Sequence, residues 1–250
     1  MTSREFKSKA KTAMAARTPN IIAAGAIFVI VWAVFSFFVD RISLSGFTTE
    51  MVERLSHYAR TGDMESFINV YAARAPRPWQ QAVRYAVDFL VSTVQLGLFV
   101  FIFNKLRRTG ETTYANLLDG FSSFPRYLVL YILRGIIVAV LTALLVVPGI
   151  IASYSYRMAE FIMLDHPEYS PWQCLQESKR MMKGNKWRLF CLDFSFIGWR
   201  ILEGFAPYVA RLWTVPYINT AVIMFYESLA YPERYAEYPL YPVMPQRPQM

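Results

Sequence analysis

Apolar residues in this chain gather into long runs. They do not show the two-residue alternation of a half-buried strand or the single stripe of a surface helix. About 18 residues with few charges suffice to cross the hydrocarbon core as a helix. The first run, 21–39, meets that length, and further runs cover 83–103, 189–205 and 212–229. The run 127–164 is 38 residues long, nearly two crossings, and is interrupted by Pro148-Gly149.

The polar segments between the runs set the expected sidedness. Residues 1–20 carry five basic side chains (Arg4, Lys7, Lys9, Lys11, Arg17) against Glu5, and predict a short amphipathic cytoplasmic helix, broken near Pro19. Residues 40–82 balance five bases with five acids and are placed outside. In them Thr49 caps an expected helix with Met51, Leu55 and Tyr58 on one face, ended by Gly62. Pro76, Pro78 and Trp79 suggest a turn with an interfacial anchor. Segments 104–126 and 165–188 are basic and predicted inside. Both flanks of 127–164 are then inside, which requires two limbs turning at Pro148-Gly149, the returning limb being 150–164; one kinked helix is the alternative.

Ser170-Pro171 reads as a cap followed by Pro at the first helical position, and Gly184 as the stop. Between them an amphipathic helix is expected on the inner surface. Trp172, Leu175 and Met182 would face lipid, and Lys179, Arg180 and Lys183 the headgroups. The tail, 231–250, is rich in Tyr and Pro and expected to be extended, on the cytoplasmic side.

The predicted fold is therefore an all-α polytopic transmembrane bundle of about six spans, covering 21–230, with a Pro-Gly hairpin between spans three and four. Both termini lie inside. The run 21–39 exceeds a usual signal core and lacks an Ala-x-Ala site after it, so it is expected to be retained.

Composition changes this picture little. The net charge of +8 would suit nucleic acid, but the bases flank the apolar runs, where anionic headgroups are the expected partners and nucleic acid is not. Cys174 and Cys191 are too few for a disulfide framework. His57 and His166, the only histidines, are expected on opposite sides of the membrane, which disfavours a zinc site or a Ser-His-acid triad. No phosphate-loop or His-Glu-x-x-His motif occurs. No cofactor and no enzymatic activity are expected.

The candidate chemistry lies in charges within the spans, each costing roughly 2.5–3.5 kcal/mol at mid-membrane. Arg84 and Asp88 sit four apart in span two, Arg134 in span three, Arg157 and Glu160 in the returning limb, and Asp193 in span five. Arg200, Glu203 and Glu227 read as span-end residues that snorkel. In a hairpin about Pro148-Gly149, Arg134 and Arg157 lie roughly 21 and 13 Å from the outer end. They form either a structural ion-pair network or a polar cavity for an anionic headgroup or small anion.

One string, GNKWRLFCLDFSFIGW at 184–199, is distinctive. It resembles the signature of a bacterial integral-membrane family of unknown function, typified by a Gly-His-Lys-Trp-Arg-Leu-Phe-x-Leu-x-Leu-Ser-Phe-Ile-Gly-Trp run. Segments LRRTGETTYANLLDGFSSFPRYL, VVPGIIASYSYRMAEFIMLD and PYINTAVIMFYESL fit as well, so the resemblance covers about residues 97–230. The first 96 residues depart from it, with Arg17-Thr18-Pro19-Asn20 at the entry to span one. That family is weakly similar to membrane domains of glycerophosphodiester phosphodiesterases, which implies lipid or polyol-phosphate handling. A bacterial cytoplasmic membrane protein is expected, and the lack of catalytic motifs with the basic inner face points to a scaffold, regulator or accessory subunit with a protein partner or a second copy. A transporter or lipid/anion-binding protein is the alternative reading.

Overall fold

The computed structural model describes residues 2–15, 20–43, 78–107 and 113–237, with positions 56, 60 and 61. The helix expected after Thr49, most of the outer segment 40–82, His57 and the tail from 238 lie outside the described residues. Every described element is helical, and no strand occurs among the described residues. The chain divides into two bodies, Met1–Ile30 with Thr93–Met250, and Val31–Ser92.

The elements are α1 (Ser3–Met14), α2 (Ile21–Ser43), α3 (Pro78–Arg107), a 3-10 segment (Tyr114–Ser123), α4 (Phe124–Leu144), α5 (Val146–Ser155), α6 (Ala159–Asp165), α7 (Pro171–Met181), α8 (Lys186–Phe194), α9 (Ile197–Phe205), α10 (Pro207–Ala230) and α11 (Pro232–Glu237). Three helical stretches are long and apolar enough to cross a membrane: Ile21–Phe38, Pro78–Arg107 and Tyr114–Leu144. The smaller body holds the C-terminal part of α2 and the N-terminal part of α3, where Phe37, Phe38 and Tyr85 are exposed.

In the larger body, α10 is the central element. Residues Tyr217–Ser228 are nearly all buried, with α1, α9 and α11 packed around the helix. Helix α1 lays Phe6, Ala10 and Met14 into the core, and the Phe6 ring lies 5.4 Å from that of Phe225 and 5.7 Å from that of Tyr235. Lys9 is buried too: its ammonium donates to the Tyr235 carbonyl at 2.6 Å and sits 3.8 Å over the Tyr235 ring. The expected amphipathic N-terminal helix forms, with its apolar face on protein.

The joint in the long apolar run falls at Leu145, extended at φ −155° and ψ 133°, and not at Pro148-Gly149. Pro148 sits in the first turn of α5, where its missing N–H costs no helical bond. Gly149 is needed for space, since a Cβ there would meet the Thr142 side chain of α4. Arg134 and Glu160 are joined at 2.6 Å across the joint. A straight helix would hold residues 26 apart at about 39 Å. The chain therefore folds back between them.

Helix α7 begins and ends as its sequence predicts. The Ser170 hydroxyl accepts from the Gln173 N–H at 3.3 Å, the Ser170 N–H donates to Gln173 Oε1 at 2.7 Å, and Gly184 takes φ +81°. Its apolar face is corrected: Leu175 and Met182 are buried, because α7 packs on α4 and α6, while Trp172 is exposed. Span five is also corrected. It is two helices, α8 and α9, broken at Ser195–Phe196, where the Ser195 carbonyl accepts from the Lys7 ammonium at 2.5 Å.

Candidate functional site

Four of the six charges singled out in the sequence lie in the larger body, on α4, the α5–α6 limb and α8. Arg134 projects from α4 onto Glu160 at 2.6 Å, with both side chains about one-fifth exposed. Arg157 lies in the short joint between α5 and α6, half-buried, one residue before the buried Met158. That joint is held by Ser178 of α7, whose hydroxyl donates to the Ser155 carbonyl at 2.8 Å and accepts from the Met158 N–H at 3.2 Å.

Asp193, at the end of α8, shares a neighbourhood with Tyr154, Arg157 and Arg200. Its Oδ1 is shut off from solvent and receives no hydrogen bond. Arg84 and Asp88 belong to the Val31–Ser92 body, and both side chains are exposed there.

A second cluster was not singled out in the sequence. Arg107, the last residue of α3, donates from Nε to Glu227 Oε1 at 2.7 Å. Its two terminal nitrogens bind Asp165, one of them at 3.1 Å. Two hydroxyls, of Tyr226 and Tyr231, each donate to Asp165 Oδ2 at 2.8 Å. The guanidinium lies 4.5 Å from the Phe103 ring and 5.1 Å from the Tyr231 ring. Glu227, read as a span-end residue, is completely buried. Its burial is tolerable because Arg107 faces it, with Arg234 at 3.8 Å beyond.

Burial by itself would raise the Asp165 carboxyl, but hydrogen bonds from Arg107, Tyr226 and Tyr231 outweigh it and hold the group below the usual carboxylate range. Burial, and then donation to Asp165, push the Tyr231 phenol up to about 12. The sequence held no spacing that ties these residues, since Arg107 is 58 and 120 positions from its two acids.

Beside this network opens a cavity of about 440 Å³, lined among others by His166, Tyr169, Glu177, Arg180, Tyr226 and Tyr231. Its charged rim is internally matched: Arg180 grips Glu177 at 2.5 and 2.9 Å. His166 Nδ1 lies 3.0 Å from Glu168, its ring stacked on Tyr169 at 4.7 Å. Among the described residues no three His, Cys, Asp or Glu side chains gather as a metal site. Cys174 is buried, which raises its thiol and keeps it from acting as an exposed nucleophile.

A family model described as a protein of unknown function (DUF975) matches residues 134–232. The chain is thus similar, over α4 to the start of α11, to an uncharacterised family. No curated protein and no solved structure matches it.

Proposed function

We propose that this chain is a multi-pass integral protein of a bacterial cytoplasmic membrane. In this reading it crosses six times with both termini inside and serves as a non-enzymatic scaffold or accessory subunit. Three helices of membrane-crossing length support the embedding. The tip of the α4–α5 pair supports the extra crossings: Leu144, Leu145, Val146 and Val147 are 63–72% exposed, which water would penalise and hydrocarbon would not. Helix α4 has 21 residues, about 30 Å, which matches the hydrocarbon thickness, and the returning limb is built of α5 and α6 in succession.

The single observation that carries the scaffold role is that the charges are paired across helices: Arg134 with Glu160, and Arg107 and Arg234 with Asp165 and Glu227. These charges lock helices together. The exposed bases Lys179 and Lys183 on and just after α7 suit anionic headgroups at the inner face.

One observation favours the second reading, lipid or anion binding. Arg157 has no hydrogen bond or ion pair among the described residues.

The topology is tested with Val147→Cys in a background carrying Cys174→Ser and Cys191→Ser. A membrane-impermeant maleimide added to intact cells should modify the new thiol. Modification only after permeabilisation overturns the six-span reading. Solute movement driven by the purified chain in liposomes overturns the scaffold role.

A further inference from the structure

Helices α5 and α8 pack side by side and bring together four polar side chains that leave one another incompletely satisfied. Asp193 supplies a carboxylate oxygen that is buried and lacks a donor. A buried acceptor in that state is costly and calls for a partner. Arg157 is half-buried and has no acceptor among the described residues, and Arg200 stands exposed on the next helix. Tyr154 hydrogen-bonds the Asp193 carboxylate and lies near both guanidiniums. The site therefore lacks two things at once: a second donor, for Asp193 Oδ1, and oxygen acceptors for two guanidiniums.

A molecule carrying both would fill it. Two guanidiniums match the non-bridging oxygens of a phosphate better than a single-point acceptor does. A primary ammonium offers the donor that Asp193 Oδ1 lacks, and a quaternary ammonium has no N–H to give. The apolar surface beside the site is equally specific. Along α8, the Trp187 ring stacks on Phe190 at 5.1 Å and Phe190 on Phe194 at 6.1 Å, and the Tyr154 ring meets Phe190 at 6.1 Å. Trp187 and Phe194 are 71% and 61% exposed, which leaves a ladder along which acyl chains can lie.

We propose that Tyr154, Arg157, Asp193 and Arg200 form a binding site for a phosphate ester bearing a primary ammonium, the chemistry of an ethanolamine phospholipid headgroup. The inference rests on the second reading above and names its ligand. Arg157 and Arg200 hold the phosphate, Asp193 the ammonium, and Tyr154 bridges the two ends. Arg134 takes no part, because Glu160 already neutralises it.

The test is native mass spectrometry of the full chain in detergent, offered phosphatidylethanolamine, phosphatidylcholine or phosphatidylglycerol. Wild type should retain phosphatidylethanolamine about 10-fold better than phosphatidylcholine, since only the former satisfies Asp193. D193N should bring that ratio close to one. R157Q should weaken retention of phosphatidylethanolamine and phosphatidylglycerol alike, and R157K should recover part of it. Equal retention of the two zwitterionic lipids by wild type overturns the proposal and needs no variant. So does unchanged retention by R157Q and D193N proteins that remain monodisperse.

Free phosphoethanolamine separates the two sources of this chemistry. If it displaces the lipid, the headgroup alone is read; if it does not, the α8 ladder contributes through acyl chains. Maleimide labelling at position 147 reports the topology independently, so loss of the membrane reading and loss of this site are distinguishable.

Discussion

Arg107 satisfies two acids that lie far along the chain, and its own side chain is only 15% exposed. Removing it would leave two buried carboxylates facing one another, Asp165 at 6% and Glu227 at 0% exposure. Arg107→Met should therefore destabilise the protein by about 3–5 kcal/mol, read as a fall in the thermal unfolding midpoint in detergent.

The same cluster sets two pH limits. The Asp165 carboxyl is held below its ordinary value in the folded state, so its contribution is present above about pH 4. It is lost as pH falls through the lowered folded value. The Tyr231 phenol is raised to about 12, so its contribution is full below about pH 10 and disappears as pH rises through the folded value. In an alkaline unfolding titration, Tyr231→Phe should reduce the part of the loss that falls between those two values, and, because it removes one donor to Asp165, it should also weaken the acid limb.

At the scale of elements, capping chemistry was readable and close approach was not. Ser170, Pro171 and Gly184 announced α7 by local rules that act within one turn. The Pro148-Gly149 pair announced a joint, but the joint falls at Leu145. Pro148 sits in the first turn, where the helix needs no N–H from it. The break at Ser195–Phe196 carried no Pro or Gly between α8 and α9, so nothing in the pattern marked it.

Nor did the sequence reveal that the 3-10 segment lies directly on α3. A Cβ at Gly97 would strike the Leu117 carbonyl, and one at Gly120 the Thr93 carbonyl. Backbone cannot swing aside as a flexible side chain can. Gly97→Ala should cost about 1–3 kcal/mol in thermal unfolding, whereas the same change at Gly135, which has open space, should not destabilise the fold.

For the whole molecule, the apolar runs foretold an all-helical chain with membrane-length helices, because that signal is summed over many residues. Partners across long sequence separations were not foretold. Arg134 and Glu160 were both singled out, and the fold-back makes them a pair; Arg107 and Asp165 were not, since each lies at the edge of a run and looked like ordinary loop charge. The N-terminal helix is amphipathic, as its sequence predicts, and its apolar face packs on protein. Its apolar stripe is the same whether it meets lipid or protein, and only tertiary contact decides. Deleting residues 2–15 would strip Phe6, Ala10 and Met14 from the core. The deletion should lower stability by at least about 3 kcal/mol, visible as heat-induced aggregation at a lower temperature in size-exclusion assays.

That docking also imposes an order of events on a ribosome. Helix α1 finds its seat on Phe225 and Tyr235, which emerge more than two hundred residues later. Until then its apolar face and the buried Lys9 have no native partner, so α1 must wait, in water, on a lipid surface or in the care of a chaperone. Closure of the larger body must then wait until α10 and α11 have been made. A bulky fusion ahead of Ser3 should delay that step more than the same fusion placed after the last residue.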